Sequence, residues 1–223
     1  MTSLGQYQLK LVSIVDLTPT QFTVGMRKVD FKRTRWREKH SFNAKSYLTS
    51  HSIPVILGPC AGQYIIDRHH LVRALYAEGV TELLASVVED LSALSVDEFW
   101  YSLESRDRVH PFDDEGKRRA YEEMPKSILD LTDDPFRSLA GALKRAGGYN
   151  KSSAPFSEFR WTDFLRNHIA REIVEYDFDH ALSLALDLAR SQKALTLPGW
   201  IGAASANPVH RIQDRIRTAH CFA

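Results

Sequence analysis

The chain has 223 residues, with 29 Lys and Arg against 28 Asp and Glu for a net charge of +1, and 43% of it is hydrophobic. That length buries a substantial core, either as one large domain or as a small domain with an appendage, and the balanced charge argues against an extended nucleic-acid-coating surface while leaving room for a local basic patch. Two cysteines, Cys60 and Cys221, far apart and without a CxxC or His-rich pattern, exclude a disulfide framework and a zinc site and make a reducing cytosol the expected compartment.

Residues 1–8 lack a charged segment followed by an apolar one, and no apolar run approaches the roughly 18 residues of a membrane span. A soluble, unprocessed, cytoplasmic protein is expected. No internal repeat or low-complexity tract is present.

Leu9 to Ile14 predicts a first strand, closed by the loop signal Asp16-Leu17-Thr18-Pro19. A polar loop or short extended piece, Thr20 to Gly25, follows. From Arg27 to Lys45 the segment carries eight Lys or Arg, namely Arg27, Lys28, Lys32, Arg33, Arg35, Arg37, Lys39 and Lys45, against Asp30 and Glu38. An anionic ligand and a solvated helix face both explain such a cluster, and Phe31, Trp36, Phe42 and Tyr47 show that the segment also packs on something.

Ile53 to Leu57 predicts a strand, with Pro54 placing it at a strand start or a sheet edge. The loop Gly58 to Gly62 joins it, most simply as a hairpin, to a second short strand at Tyr64-Ile65-Ile66. Leu71, Val72, Ala74 and Leu75 then resume helical spacing, with Gly79 placed to end the helix, and Leu83 to Val88 closes a small mixed sheet. The chain thus turns from strand to helix across Asp67-Arg68-His69-His70. A helix start has unsatisfied N–H groups and a positive dipole end, so it is where a phosphate or carboxylate is most readily held. Asp67 as a plain N-cap is the structural alternative.

Beyond Leu91 the pattern is helical. Ser95 to Asp107 opens with a Ser95/Glu98 capping box, Asp113 to Met124 predicts a short charged helix, and Asp133-Asp134-Pro135 introduces Phe136 to Ala146. Glu158 to Glu175 and Phe178 to Ala194 complete the set before the Leu197-Pro198-Gly199 turn. The aromatic residues here are expected to be core, and the acids of the Asp113 to Glu123 stretch to serve helix dipoles.

The order of these elements, with Ile65-Ile66-Asp67-Arg68-His69-His70, resembles the ParB/sulfiredoxin-like fold, and specifically the ParB-like nuclease family. Pro19-Thr20-Gln21 to Lys32 stands where the family's first box lies. Arg137-Ser138-Leu139 and Phe156-Ser157-Glu158-Phe159-Arg160-Trp161 resemble its helical extension. The resemblance implies an α+β (α/β) chain: residues 1–92 as a small mixed sheet with helices of ParB/sulfiredoxin type, and residues 93–223 as a mostly α-helical extension or subdomain. It also implies nucleotide phosphates at the turn before the helix. Partition proteins carry Gly-Glu-Arg-Arg where this chain has Arg68-His69-His70-Leu71, and sulfiredoxins carry a Cys where it has His69, so sulfinic-acid repair is not expected. The turn is also similar to the Asp-Gly-His-His-Arg turn of the free-serine kinases, with Arg68 in place of Gly and Leu71 in place of Arg. The acidic base those kinases carry in the first box has no clear counterpart, since Thr20 and Gln21 stand there; Glu38 is a candidate.

The expected activity is that of a nucleotide- or phosphate-ester-binding enzyme, transferring or hydrolysing a phosphoryl group at the Asp67–His70 turn. Such chemistry needs a base and positive charge on the non-bridging oxygens. Asp67, His69 and His70 are the catalytic candidates, and Arg68, Arg73, Arg27, Lys32 and Gln21 the phosphate- or nucleotide-binding ones. Mg²⁺ with ATP, ADP or another nucleotide is the expected cofactor, with no metal ligands assigned. The alternatives are a nuclease acting on phosphodiesters and a non-catalytic DNA- or nucleotide-binding regulator. Expected partners are a nucleotide or phosphorylated small molecule, or nucleic acid, but no membrane.

Overall fold

The computed structural model describes residues 8–202, which form an α+β architecture. Packing divides them into two compact units, residues 8–24 with 29–133 and residues 25–28 with 134–202. The boundary expected at residue 92 falls inside the first unit.

The first unit is built on a five-stranded mixed sheet. Its strands are β1 (Gln8–Ser13), β2 (Leu17–Pro19), β4 (Ile53–Leu57), β5 (Gln63–Ile65) and β6 (Glu82–Asp90), in the order β1-β6-β4-β5-β2. β1 runs antiparallel to β6, β6 parallel to β4, β4 antiparallel to β5 and β5 parallel to β2. The β4–β5 hairpin is the expected one. Pro54 is the second residue of β4, which lies inside the sheet and not at its edge, and a register shift against β6 follows at Val55/Ile56. A proline lacking its N–H is accommodated beside such an irregularity.

The hairpin loop depends on two glycines. A Cβ at Gly58 or Gly62 would lie 2.5 or 2.6 Å from the Tyr64 ring, so the ring can cover the loop only while both positions lack side chains. Tyr64 continues into an aromatic cluster with Phe99 and Trp100 of α3 (Val96–Ser105), whose Ser95/Glu98 capping box forms as expected.

A short two-stranded sheet pairs β3 (Thr23–Val24) with β7 (Thr132–Asp133). α1 (Met26–Ser50) carries the basic segment, and α2 (His69–Ala77) buries Leu71, Val72, Ala74 and Leu75. α2 is followed by Gly79 at φ +81°, the left-handed helix terminator its position predicts. Glu78 accepts hydrogen bonds from Arg33 Nε at 2.7 Å and from Arg37 Nε and Nη2 at 2.6 and 2.7 Å, fastening the end of α2 to α1.

The helix expected over Asp113 to Met124 does not form. The Asp113 carboxylate accepts from the backbone N–H of Glu115 and Lys117, Gly116 takes φ +77°, and Phe112 bridges Arg118. Local side-chain bonding of this kind competes with helix, and only one 3₁₀ turn, Tyr121–Glu123, remains.

The second unit is helical: α4 (Pro135–Arg145), α5 (Ser157–Arg166), α6 (Arg171–Tyr176) and α7 (Phe178–Ala189), followed by a 3₁₀ turn at Gln192–Ala194. The helix expected over Glu158 to Glu175 breaks between α5 and α6, where the chain turns so that Ile169 enters the core. The helix expected to reach Ala194 ends at Ala189. Trp161, stacked on Tyr149 with ring centroids 4.4 Å apart, centres the cluster with Phe136, Leu139, Leu165 and Ala185. Among the described residues no helix is long and apolar enough to cross a membrane.

Candidate functional site

The strand-to-helix turn lies where β5 ends and α2 begins. Arg68 is the N-cap of α2 at φ +67° and ψ +20°, and no side chain caps the helix. Asp67 therefore is not the conventional cap. Its carboxylate accepts from the next residue's N–H, Arg68 N, at 2.6 Å and is otherwise exposed. A left-handed conformation at an arginine costs about 1–2 kcal/mol relative to a right-handed one, and such strain accumulates at functional sites.

Both histidines of the turn are buried, His69 to 4% and His70 to 6% exposure. The backbone N–H of Thr20 donates to His69 Nε2 at 3.2 Å, while the Thr20 hydroxyl donates to Ile65 O at 2.8 Å. A ring nitrogen that accepts carries no proton, so His69 is the neutral tautomer with its proton on Nδ1. The end of β2 is thereby tied to the start of α2. Thr20 O in turn accepts from His110 N at 2.8 Å, and Gln21 forms a parallel bridge with His110. His69 and His110 thus meet at Thr20, and His110 had no signal in the sequence. A β-bridge across some ninety residues has no local pattern.

Arg68 and Arg73 are half-buried. Arg68 Nη1 and Arg73 Nε are shielded from solvent and have no hydrogen-bond partner among the described residues. A buried guanidinium nitrogen without an acceptor is costly, and an anion is one chemistry that would supply it. Tyr47 on α1 is close enough to Arg35 and Arg68 for both to draw its hydroxyl down, although burial dominates and pushes it up. Its ring stacks on His51 with centroids 4.1 Å apart.

The other candidates are placed differently. Gln21 is 5% exposed and its Nε2 donates to Thr23 O at 2.6 Å. Lys32 is half-buried on α1, and Glu38 is exposed on the same helix. Arg27 belongs to the second unit, where its guanidinium lies 4.2 Å from the Phe178 ring centroid. Much of the basic segment has internal partners: Arg33 and Arg37 hold Glu78, and Lys28 holds Glu158 at 2.5 and 2.7 Å. Among the described residues no group of three or more His, Cys, Asp or Glu is arranged to hold a metal.

Three comparisons bear on this arrangement. The model of the family described as "Putative ParB-like nuclease" matches residues 10–167. The crystal structure of protein Atu1540 from Agrobacterium tumefaciens superposes with a TM-score of 0.82 at 49% identity, covering 88% of this chain and 100% of that one. No curated protein matches. The family match takes in the sheet, the Asp67–His70 turn and the helical motifs through α5, so the chain belongs to the ParB-like nuclease family.

Proposed function

We propose that the chain binds a phosphate ester at the Asp67–His70 turn and cleaves it, with a phosphodiester as the substrate that family membership favours. The observation that carries this reading is Arg68: a non-glycine residue in a left-handed conformation whose guanidinium has a shielded nitrogen without a partner. Strain and an unmet donor at one residue are what an anion-binding turn requires before its ligand arrives.

In this reading Arg68 and Arg73 bind the non-bridging oxygens. His70 takes the proton of the attacking water as the new phosphorus–oxygen bond forms and the ester bond breaks. His69, whose Nε2 accepts from the Thr20 N–H, orients the turn. Asp67, the exposed carboxylate, is the group that would accompany a Mg²⁺ brought in on nucleotide phosphates, since Mg²⁺ commonly uses only one or two protein carboxylates there.

The test combines titration with ADP, inorganic phosphate and a short DNA duplex with cleavage of a chromogenic phosphodiester, with and without Mg²⁺. Wild-type protein should bind at least one of these ligands, Arg68→Ala should weaken that binding, and His70→Ala should lose turnover while still binding. Absence of binding by all three, or turnover unchanged in His70→Ala, defeats the proposal.

A further inference from the structure

Thr20 is the first residue beyond β2, whose pairing with β5 ends at Pro19↔Ile65, and it is 2% exposed. Its N–H, hydroxyl and carbonyl are all engaged, each with a different segment. The N–H donates to His69 Nε2 at 3.2 Å at the opening of α2, the hydroxyl donates to Ile65 O at 2.8 Å at the end of β5, and the carbonyl accepts from His110 N at 2.8 Å in the chain that follows α3. The hydroxyl is what leaves the N–H to the imidazole: with Ile65 O served by the side chain, the amide of the same residue is not needed there. The consequence for His69 is chemical. A lone pair that accepts from an amide N–H cannot also take a proton, so the bond sets which ring nitrogen is protonated and the angle at which the ring sits. His69 directly follows Arg68, whose carbonyl accepts from Leu71 N at 2.8 Å and Val72 N at 3.0 Å as the first turn of α2, so a fixed ring at this position also fixes the peptides on either side of it.

We propose that Thr20 is a positioning residue of the Asp67–His70 turn, acting through His69 to hold Arg68 and His70 in the geometry that binds and attacks the phosphate ester. The role rests on the reading of the turn given under Proposed function. Thr20 touches none of the reacting atoms in that reading; it sets the ring that stands between the anion-binding guanidinium and the base. Valine at this position keeps the branched shape and loses only the hydroxyl. Ile65 O then lacks its side-chain donor and competes with His69 for the Thr20 N–H, which frees the ring to turn and to exchange tautomers. Serine keeps the hydroxyl and gives up a methyl group, so it separates the hydrogen bond from the packing.

The experiment compares wild-type full chain, Thr20→Val, Thr20→Ser and Thr162→Val by three measurements: the tautomer of His69 in long-range ¹H–¹⁵N spectra, kcat and KM for bis(para-nitrophenyl) phosphate with Mg²⁺, and Tm. Thr162 is the control, a 1% exposed residue of the second unit whose hydroxyl donates to Glu158 O at 2.9 Å. Thr20→Val should lose roughly tenfold to a hundredfold in kcat with KM within about twofold, the signature of a misplaced attacking group, while His69 passes from the single Nδ1–H form to a mixture of tautomers. Thr20→Ser should restore both kcat and the tautomer even where its Tm is lower. Thr162→Val should lower Tm and leave the other two readouts as in wild type. A Thr20→Val protein with wild-type kcat and an unchanged tautomer, or a Thr20→Ser protein as impaired as Thr20→Val, overturns the proposal. The tautomer is read without substrate, so the two failures separate: an inactive wild type whose His69 tautomer still depends on the Thr20 hydroxyl defeats the phosphodiester reading, whereas an active one whose kcat and tautomer ignore that hydroxyl defeats the positioning role.

Discussion

Replacing Arg68 by glycine separates two consequences of the same geometry, and they have opposite signs. At φ +67° the arginine backbone costs about 1–2 kcal/mol that glycine does not incur, while glycine's greater unfolded-state freedom takes back about 0.5–1 kcal/mol. Removing a shielded Nη1 that lacks a partner returns about 1 kcal/mol more. Arg68→Gly should therefore be more stable by about 1–2.5 kcal/mol, and for a chain of this size each kcal/mol raises Tm by about 2–4 °C. The same substitution removes charge-assisted hydrogen bonds to a bound phosphate worth about 1.5–3 kcal/mol, so affinity should fall roughly ten- to a hundredfold. Arg68→Ala keeps the backbone strain, so it should lose affinity without the full gain in Tm. Differential scanning fluorimetry, with and without the best ligand from the titrations, reads both effects. An Arg68→Gly protein that melts lower and binds as before would show that the guanidinium serves the fold, and the site assignment would fall with it.

Glu78 gives a pH dependence of defined sign. Hydrogen bonds and charge from Arg37 and Arg33 hold its carboxyl at about 2, against an ordinary 4.5. The folded pKa lies below the unfolded one, so the stabilisation is complete above pH ~4.5 and disappears as the pH falls toward 2. With Arg37 largely exposed to screening solvent, Glu78→Gln should cost about 1–2 kcal/mol in urea unfolding at pH 6 and much less at pH 3. In the second unit, burial pushes the Glu158 carboxyl up, but the charges of Lys28 and Arg137 and the hydrogen bonds from Lys28 outweigh it and hold Glu158 below its usual range. Lys28→Met should cost about 3 kcal/mol by leaving that carboxylate without its bidentate partner, and Glu158→Gln combined with it should recover part of the loss in the same unfolding assay. For His69, long-range ¹H–¹⁵N spectra at neutral pH should show the tautomer protonated on Nδ1, and the opposite tautomer would contradict the Thr20 hydrogen bond.

Most elements were legible because their signals are local. The Ser95/Glu98 box, Asp134 before Pro135, Gly79 after α2 and the Ile53 to Ile65 hairpin each depend on residues within a few positions of one another, and each formed. Two of the helical stretches that were misjudged failed for reasons that periodicity does not encode. Asp113 bonds the backbone ahead of it instead of capping a helix, and Ile169 is drawn into a core assembled from four separate helices.

The sequence by itself determined the strand-to-helix turn and the residue types at it, since a β-branched run, a polar tetrad and helical spacing are all properties of neighbours along the chain. Only the tertiary structure decided what those residues do to one another. It placed Arg68 in a glycine's conformation, bonded His69 to Thr20 across 49 positions, brought His110 to the same threonine, and gave much of the basic segment to internal partners such as Glu78 and Glu158. The reason is one of range: capping and periodicity act over a turn or two of chain, whereas hydrogen-bond acceptors, ion pairs and desolvation depend on which distant segments folding brings together.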